Sequence, residues 1–224
     1  MEVTILLPCL NEEKTIALCV GEAMTFLKKS GLEGEVLVTD NGSTDTSVQL
    51  AQKAGARVIH CKDKGYGNAL RCGIVSAFGK YVIMGDSDCS YHFDDLMPFV
   101  EELRSGADMV IGNRFVHPME KGAMSFSHKL GVPFLSWLGR CRFKCDVKDF
   151  HCGLRAVNQE SFYKLHCKCT GMEFATEMIG KASLAGMQIS QLPVKLYCDK
   201  RGKKSHLRTV RDGLRHIRII FKHK

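Results

Sequence analysis

The stretch from Lys80 to Asp88 constrains the fold most strongly, because a run of apolar residues leads directly into two acidic side chains. Tyr81–Met84 is continuously apolar, which is typical of a central strand covered on both faces. Gly85 then allows a turn, and Asp86 and Asp88 stand two positions apart, so their carboxylates point roughly the same way. Such carboxylates repel each other unless a cation lies between them, and Mg²⁺ or Mn²⁺ with a diphosphate fits that need. An ordinary polar turn after a strand is the alternative interpretation.

Apolar runs and helical periodicity alternate through the first half of the chain and predict its secondary structure. Short strands are predicted at 2–7, 35–39, 56–60, 81–84 and 107–111, and helices at 11–29, 66–78 and 94–104, with a further helix after Ser43. Asn11 and Ser43 are the predicted N-caps of the first two helices. Strands that alternate with helices form a mostly parallel sheet with helices on both faces, so the sequence predicts a Rossmann-like α/β fold.

Length and composition indicate a single soluble domain. At 224 residues, with 45% hydrophobic and 25% charged residues, the chain has the size and composition of one globular α/β domain. Glu2 follows Met1 directly, the apolar run Val3–Leu7 is too short for a signal-peptide core, and no apolar run reaches the length of a membrane span. We therefore expect a cytoplasmic protein, soluble or peripheral to the membrane, whose eleven cysteines are reduced.

Positive charge is concentrated at the C-terminus. Residues 195–224 contain eleven Lys and Arg against two Asp, whereas the whole chain has a net charge of +8, so the remainder is nearly neutral. Within this segment apolar residues recur at steps of three and four, as on one face of a helix. A basic amphipathic helix of this kind lies on an anionic membrane surface or packs on its own domain, and both interpretations stay open. The apolar positions are Leu207, Val210, Leu214, Ile217 and Phe221, and the basic ones are Arg208, Arg211, Arg215, Arg218 and Lys222.

Nucleotide-binding motifs of other enzyme classes fit the chain poorly. The P-loop pattern is absent, and Gly65–Leu70 matches G-x-G-x-x-G only in part, with Leu at the last glycine position and after the third predicted strand. Asp40 ends the second predicted strand, where a carboxylate could accept hydrogen bonds from a ribose or a base. Lys64 precedes the next helix, where a diphosphate could lie. For both residues an ordinary solvated turn charge is the alternative interpretation.

Five short motifs occur in an order typical of one enzyme family. They are Leu6–Glu13 (LLPCLNEE), Asp40–Asp45 (DNGSTD), Lys64–Ala69 (KGYGNA), Asp86–Asp88 (DSD) and Gly112–Phe115 (GNRF). Further segments follow at Asp149–Arg155, Gly171–Phe174, Leu192–Val194 and Arg201–His206. Together they resemble a family 2 glycosyltransferase of the GT-A fold, within the group related to dolichyl-phosphate mannose synthases and polyprenyl-phosphate glucosyltransferases. The resemblance covers nearly the whole chain.

The resemblance implies a division of the chain and a set of site residues. A catalytic domain at 1–200 would have a nucleotide-binding half at 1–112 and an acceptor half at 113–200, followed by a basic loop and amphipathic helix at 201–224. Asp86 and Asp88 would bind the metal, and Asp149 and Asp88 would be catalytic. The donor would contact Pro8, Asn11, Glu13, Asp40, Lys64, Asp86 and Ser87, and phosphate or the acceptor would contact Arg114, Arg155, Arg201 and Ser205.

The implied reaction is a metal-dependent displacement at the sugar C1 with inversion. Mg²⁺ or Mn²⁺ and the cationic residues would stabilise the departing nucleoside diphosphate. A polyprenyl phosphate acceptor is already anionic at neutral pH, so Asp149 would orient it or stabilise the reacting carbon, whereas a hydroxyl acceptor would need Asp149 as a base. The implied partners are a UDP- or GDP-linked sugar donor, a lipid-phosphate acceptor, an anionic membrane contacted through 206–222, and a membrane protein, with no nucleic acid.

Specific residues of the sequence bear on two other protein classes, on a zinc site and on a lipid-binding segment. A sugar nucleotidyltransferase would carry a glycine-rich loop with Arg and Lys after the first strand, where this chain has Leu10–Glu13. A basic nucleic-acid-binding module would explain only the tail and leave the acidic motifs unexplained. Cysteines and histidines between Cys141 and Cys169 could form a zinc site, although no C-x₂-C pair occurs among them. Apolar and basic residues between His117 and Phe143 predict a loop and a short amphipathic helix suited to a lipid-like acceptor, or ordinary core packing.

Overall fold

Seven strands form the central sheet of the molecule, whose computed structural model describes residues 1–202 and 209–222. Their order across the sheet is β3-β2-β1-β4-β6-β5-β7. β6 runs antiparallel to both of its neighbours, and the other neighbouring pairs are parallel. In chain order the strands are β1 (Val3–Cys9), β2 (Gly34–Asp40), β3 (Arg57–His60), β4 (Tyr81–Met84), β5 (Met109–Asn113), β6 (Arg155–Asn158) and β7 (Ile189–Pro193).

Eight helices flank the sheet in the described part of the chain. They are α1 (Ile16–Ser30), α2 (Ser47–Lys53), α3 (Tyr66–Ser76), α4 (Met97–Arg104), α5 (Phe126–Phe143), α6 (Gln159–Leu165), α7 (Phe174–Leu184) and α8 (Thr209–Lys222). None of these helices combines the length and hydrophobicity needed to cross a membrane. The architecture confirms the predicted Rossmann-like α/β fold with a mostly parallel sheet and a C-terminal helix.

The central strand β4 is fully buried, as its apolar run predicts. β1 pairs with it on one side and β6 on the other. Val82, Ile83 and Met84 have no exposed surface, and burial of each such side chain contributes about 1.5–3 kcal/mol. At Gly85 an added Cβ would lie 2.3 Å from the ring of Phe93, so only glycine allows this close approach. The packed strand therefore fixes where the acidic pair begins.

The antiparallel strand β6, which is not among the predicted strands, separates β4 from β5. The fifth strand, predicted at 107–111, is observed as β5 and pairs with β6 and β7. β6 has only four residues, and Ala156 and Val157 within it are buried. Because antiparallel neighbours need no crossover helix between them, the helix–strand alternation gives no signal for such an insertion.

The predicted caps Asn11 and Ser43 do not cap helices. α1 begins after Thr15 and α2 begins after Thr46. Asn11 has a left-handed backbone (φ 58°), and its side-chain oxygen accepts a hydrogen bond from the Thr44 amide at 2.8 Å. In return, the hydroxyl of Ser43 accepts from the Asn11 amide at 2.9 Å. These side chains therefore join the loops after β1 and β2, which is the alternative use of short polar residues that competes with capping.

Helix boundaries elsewhere differ by a few residues from the prediction. α4 begins at Met97 with Leu96 as its N-cap, three residues after the predicted start at Asp94. Pro98 stands in its first turn, where the missing amide hydrogen is tolerated. α3 ends at Ser76, ahead of the predicted end at Phe78. None of these shifts changes the order of the elements.

α8 packs against α5 and α7 with a face different from the predicted apolar stripe. Its buried residues include Asp212, His216 and Ile220, whereas Leu214 is 62% exposed and Phe221 is 60% exposed. The interpretation that the stripe packs on the domain is therefore wrong for these two positions. Polar Asp212 and His216 occupy the inner face because they line the cavities described below. Leu207 and Arg208 lie outside the described residues.

Candidate active site

A cavity of about 410 Å³ lies at the carboxyl edge of the sheet, where β1 and β4 end. Pro8 and Cys9 line it from the end of β1, and Asp86–Asp88 line it directly after β4. The acidic and basic lining residues are Glu12, Lys64, Asp86, Asp88, Arg201, Arg211, Asp212 and Arg215. The cavity thus combines carboxylates with four cationic side chains, a combination that suits a metal-bound diphosphate.

Asp86 is held rigidly at the bottom of this site. Its Oδ1 accepts a hydrogen bond from the Tyr66 hydroxyl at 3.0 Å, and its Oδ2 lies so close to Gly153 that a Cβ there would approach it to 2.1 Å. Burial, together with the neighbouring charge of Asp88, raises the pKa of Asp86 to about 6. Both causes disfavour the charged form of the Asp86 carboxylate.

Asp88 and Ser87 are tied to the surrounding backbone. Asp88 Oδ1 accepts from the Ser90 amide at 2.9 Å, and Asp88 Oδ2 lies 3.2 Å from Arg201 Nη2. The hydroxyl of Ser87 donates to the Pro8 carbonyl at 2.5 Å, which joins the end of β1 to the acidic turn. These contacts fix the direction of both carboxylates without any helix at this position.

Arg201 bridges the acidic groups of the cavity. Besides Asp88, it pairs with Glu12 at 3.4 Å and with Asp199 at 3.3 Å. Burial raises the pKa of Glu12 to about 7, with Asp88 adding to the rise and Arg201 opposing it. The buried Nε of Arg201 has no hydrogen-bond partner within the described residues. One donor of this guanidinium is therefore left for a further oxygen ligand.

Lys64 and Asn41 form the wall on the β2 side. Lys64 Nζ donates to the Asn41 carbonyl at 2.8 Å, and the Asn41 side chain accepts from the Gly65 amide at 2.7 Å. Gly65 has φ 130°, and an added Cβ would lie 2.2 Å from the Thr170 carbonyl oxygen. This turn therefore requires glycine, and it holds the start of α3 against the cavity.

A second cavity of about 270 Å³ adjoins the first, and Tyr66, Asp86, Met172 and Asp212 line both. The residues of the second cavity come mainly from α5, the 151–155 segment, and α8. Its basic lining residues are Arg114, His128, His151, Arg155 and His216. Hydrophobic side chains supply much of the remaining wall, among them Met124, Val132 and Leu135.

Asp149 lines neither cavity and is fully buried. Its oxygens accept from Arg114 Nε at 2.7 Å and Nη2 at 2.8 Å, and from the His151 amide at 3.1 Å. This bidentate pair holds the Arg114 side chain in the wall of the second cavity. Asp149 therefore contacts the candidate site through Arg114.

Three predicted donor-binding residues also lie outside both cavities. Asn11 takes part in the loop contact described above, and Glu13 accepts from the Thr46 hydroxyl at 3.3 Å. Asp40 accepts from the Ser43 amide at 2.9 Å and lies 3.0 Å from His60 Nδ1. Burial raises the pKa of Asp40, but these hydrogen bonds outweigh it and lower the pKa overall. Ser205, predicted to hold phosphate, lies outside the described residues.

Several lining residues were not among the predicted ones. Glu12 lines the cavity in place of its neighbour Glu13, because the left-handed turn at Asn11 changes which side chain faces inward. The position of Tyr66 within the glycine motif was a sequence signal for a site residue. No sequence signal indicated that polar residues of α8 would face the cavities. The residues that line one or both cavities and that the sequence did not predict include Glu12, Asn41, Tyr66, His151, Arg211, Asp212, Arg215 and His216.

The acidic pair offers the oxygen ligands that a hard cation prefers. Within the described part of the chain, no group of three or more His, Cys, Asp or Glu is arranged to hold a metal ion, and this covers the Cys141–Cys169 segment. The eleven cysteines are free thiols. Mg²⁺ and Mn²⁺ accept one or two carboxylates and complete their shell with water and substrate phosphates. The adjacent carboxylates of Asp86 and Asp88 fit that requirement.

A family model for glycosyl transferase family 2 matches residues 4–166. The chain belongs to this family. The matched segment contains the acidic pair and Asp149, and it ends before α7 and α8. The resemblance inferred from the sequence motifs is therefore confirmed.

Curated relatives of this family member include two proteins of Haloferax volcanii and one of Pyrococcus furiosus. The low-salt glycan biosynthesis hexosyltransferase Agl6 of Haloferax volcanii is 35% identical over 220 residues, covering 97% of this chain and 52% of that protein. The glycosyltransferase AglJ of the same organism is 32% identical over 212 residues, covering 94% of this chain and 68% of that protein. The dolichol-phosphate mannosyltransferase of Pyrococcus furiosus is 24% identical over 230 residues, covering 99% of this chain and 64% of that protein. The chain thus spans about half the length of the Agl6 hexosyltransferase.

Solved structures share the fold of this chain. Glucosyl-3-phosphoglycerate synthase from Mycobacterium tuberculosis, in complex with Mn²⁺, UDP-glucose and phosphoglyceric acid, aligns with a TM-score of 0.73 at 22% identity. The alignment covers 98% of this chain and 78% of that one. The UDP complex of the same enzyme aligns with a TM-score of 0.72 at 21% identity, with the same coverage. The predicted GT-A architecture is confirmed.

Proposed function

We propose that this glycosyltransferase transfers a hexose from a UDP- or GDP-linked donor to a polyprenyl phosphate, with Mg²⁺ or Mn²⁺ and with inversion at C1. The observation that carries the proposal is the cavity that Asp86 and Asp88 share with four cationic side chains. Relatives named as a hexosyltransferase and as a dolichol-phosphate mannosyltransferase support the sugar and the acceptor. A structural neighbour that holds Mn²⁺ and UDP-glucose supports the cofactor and the type of donor.

Asp86 and Asp88 would hold the divalent ion together with the donor diphosphate. The ion, when bound, supplies positive charge to the phosphate oxygens on which negative charge develops as the sugar leaves. Lys64, Arg201 and Arg215 would bind the same phosphates, with Arg201 exchanging its present carboxylate partners for phosphate oxygens. Ser205 would add a hydroxyl to this phosphate site.

The nucleoside of the donor would lie on the β1–β2 side of the cavity, lined by Pro8, Asn41 and Lys64. Ser87 supports this wall through its hydrogen bond to Pro8. Asn11, Glu13 and Asp40 would act on the donor through the loops that they hold together, because neighbouring groups already donate to their oxygens. In this proposal residues 1–112 bind mainly the donor and residues 113–200 mainly the acceptor.

The acceptor would approach through the second cavity, with Arg114 and Arg155 near its phosphate. A hydroxyl acceptor, on a soluble molecule or a glycan, would need a base at the reacting oxygen. Asp149 suits that role poorly, because both of its oxygens accept from Arg114. A phosphate acceptor needs no strong base, so the Asp149–Arg114 pair favours it. Asp149 would then act as a positioning residue.

Ligand-induced thermal stabilisation separates this proposal from the other enzyme classes. With Mn²⁺ present, UDP or GDP is expected to raise the unfolding temperature, because a ligand that binds only the folded state stabilises it. A single-stranded oligonucleotide at the same concentration is the comparison for a nucleic-acid-binding module. Stabilisation by the oligonucleotide alone would contradict the proposal, and the effect of UDP against that of GDP identifies the base of the donor.

An exposed apolar surface on α5 and α8 supports a peripheral position at the cytoplasmic face of a membrane. We call it the α5–α8 surface, and it contains Phe126, Leu130, Phe134 and Trp137 from α5 and Leu214 and Phe221 from α8, each more than 50% exposed. Exposed Arg211, Arg218 and Lys222 accompany it. Such a surface fits anionic lipid, with about 1 kcal/mol for each cation near the headgroups. A membrane protein is the alternative partner for the predicted 206–222 segment.

Sedimentation with anionic vesicles tests the membrane proposal. The wild type is expected to pellet at low salt and to pellet less at high salt, because screening weakens the attraction of its cations. The double variant Leu214→Asp, Phe221→Asp should remain in the supernatant with its fold intact, since both side chains are exposed. Leu18→Asp, at a 56% exposed position on α1, is the matched control and should pellet as the wild type does. Wild-type protein that stays in the supernatant at low salt would exclude this membrane contact and favour a soluble acceptor.

A further inference from the structure

The two ring nitrogens of His151 are buried at the wall of the second cavity, although the residue as a whole is partly exposed. Neither Nδ1 nor Nε2 has a hydrogen-bond partner within the described residues. The ring contacts His216 edge-on, with 4.4 Å between the ring centroids and 78° between the planes. A buried polar group that is left unpaired costs stability, so its presence at this position calls for a ligand.

His216 is held beside it by α7. The Thr176 hydroxyl lies 2.7 Å from His216 Nδ1, and both residues are buried. When this hydroxyl donates to Nδ1, the proton of the neutral ring lies on Nε2, which then becomes a donor. α8 therefore places an oriented imidazole beside the unpaired one.

Arg114 and Arg155 act on the ring of His151, and Asp212 acts on the ring of His216 together with Arg155. Arg155 is 2% exposed and donates to the backbone carbonyls of Phe150, Cys152 and Ala175. Among the described residues no carboxylate lies within ion-pair distance of its guanidinium, and the carboxylate on which its charge acts is that of Asp86. Burial, followed by the interaction with His216 and by the charges of Arg114 and Arg155, lowers the pKa of His151 far below its usual range. The neutral ring keeps an N–H donor in a positive field.

The acidic residues of the second cavity lie at its junction with the first. Asp86 and Asp212 line both cavities, whereas His151, Arg155 and His216 line the second alone. The histidines and Arg155 combine hydrogen-bond donors with a guanidinium that has no ion-pair partner among the described residues, which favours an anion over a neutral sugar. Asp212, one helical turn from His216, and Asp86 lie on the side that faces the first cavity. Hydrophobic walls from Met124, Val132 and Leu135 leave room for an apolar group attached to that anion.

We propose that His151 and His216 form a recognition site for a phosphate monoester, in which both rings donate hydrogen bonds to phosphate oxygens and Arg155 supplies the compensating charge. The inference deepens the proposed function and rests on it only for the identity of the molecule that carries the phosphate. A lipid phosphate and a small soluble phosphate ester present the same group to these rings. The site holds the phosphate of the acceptor beside Asp86, at the junction where the donor sugar would lie.

Calorimetric binding of three probes, with and without Mn²⁺ and UDP, tests this site. Farnesyl phosphate carries both the phosphate and an apolar chain, glycerol 3-phosphate carries the phosphate alone, and farnesol carries the chain alone. The wild type is expected to bind farnesyl phosphate far more tightly than farnesol. His151→Leu and His216→Asn should each raise the Kd for farnesyl phosphate about tenfold or more, because each removes a donor to a charged oxygen. Mn²⁺-dependent binding of UDP should stay unchanged in both.

Stability measurements distinguish a binding role from a structural one. His151→Leu should unfold at the same temperature as the wild type or at a higher one, because it replaces an unpaired buried imidazole with an apolar side chain. His216→Asn can keep the hydrogen bond to Thr176, which limits its effect on the fold. His117→Gln, at an exposed position outside both cavities, is the matched control and should change neither binding nor stability.

The outcomes separate this inference from the proposed function. If glycerol 3-phosphate binds as tightly as farnesyl phosphate and loses affinity in both histidine variants, the site stands and the lipid acceptor fails. If the wild type binds no phosphate monoester, or if folded histidine variants bind one with unchanged affinity, the site is wrong, whatever donor the enzyme uses.

Discussion

Replacement of Asp88 by Ala is expected to lower hexosyl transfer by about 10³-fold or more and to abolish metal-dependent nucleotide binding. The reason is that Asp88 and Asp86 are the carboxylates proposed to share the divalent ion, and one carboxylate alone holds such an ion weakly. The loss of the contact between Asp88 and Arg201 should cost little stability, because Arg201 keeps Glu12 and Asp199 as partners. Transfer rates, Mn²⁺-dependent UDP binding and thermal unfolding measure the three parts of this expectation.

Asp94→Asn is the matched control for this variant. Asp94 is exposed, follows the same acidic turn, and lines neither cavity. It should retain wild-type transfer and nucleotide binding. If Asp88→Ala kept wild-type activity, or if the wild type worked equally well in excess EDTA, the assignment of Asp86 and Asp88 to the metal would be wrong.

Asp149→Asn is expected to reduce turnover strongly while nucleotide affinity stays near that of the wild type. The substitution removes the negative partner of the buried Arg114 guanidinium, so Arg114 loses its fixed position in the second cavity. Because breaking a buried pair leaves an uncompensated charge, we also expect the free energy of unfolding to fall by about 3 kcal/mol. A decrease in kcat with unchanged binding of UDP and Mn²⁺ is the signature of this positioning role.

Asp146→Asn supplies the comparison in the same segment. Asp146 is exposed and pairs with Lys148 at the surface, so its loss should be nearly neutral for both turnover and stability. Parallel measurements at a temperature where Asp149→Asn remains folded separate activity from unfolding. A large loss of nucleotide affinity in Asp149→Asn would move this residue to the donor side of the site.

The acidic pair and its strand could be predicted from the sequence, because both depend on short-range pattern. A continuous apolar run specifies a strand covered on both faces, and glycine permits the turn that follows it. The structure confirms the buried strand and brings Asp86, Ser87 and Asp88 together with Pro8 and Lys64 in one cavity. The proposed roles of these residues in binding stay predictions.

Local turn geometry could not be predicted from residue type. Asn11 and Ser43 are suitable N-caps, yet each forms a hydrogen bond to the other's loop, which periodicity does not reveal. The same turn brings Glu12 into the cavity and leaves Glu13 outside, although the two residues are identical in chemistry. The left-handed backbone of Asn11, which precedes both residues, accompanies this difference in orientation.

Long-range packing determined the remaining differences. The stripe of apolar residues in α8 predicts a buried face correctly for many helices, but here Leu214 is exposed and His216 is buried. The polar inner face of α8 is explained by the residues that pack against it, because Thr176 on α7 and His151 before β6 contact His216. Likewise, the pairing of Asp149 with Arg114 joins residues 35 positions apart and changes the inferred action of Asp149.

Hexosyl transfer from a panel of UDP- and GDP-linked sugars to a polyprenyl phosphate tests the central claim most directly. With Mn²⁺ present, we expect one donor to give a lipid-linked sugar phosphate whose anomeric configuration, determined by NMR, is opposite to that of the donor. Excess EDTA should stop the reaction, and added Mn²⁺ should restore it. Retention of the donor configuration, an undiminished rate in EDTA, or transfer to hydroxyl acceptors alone would contradict the account.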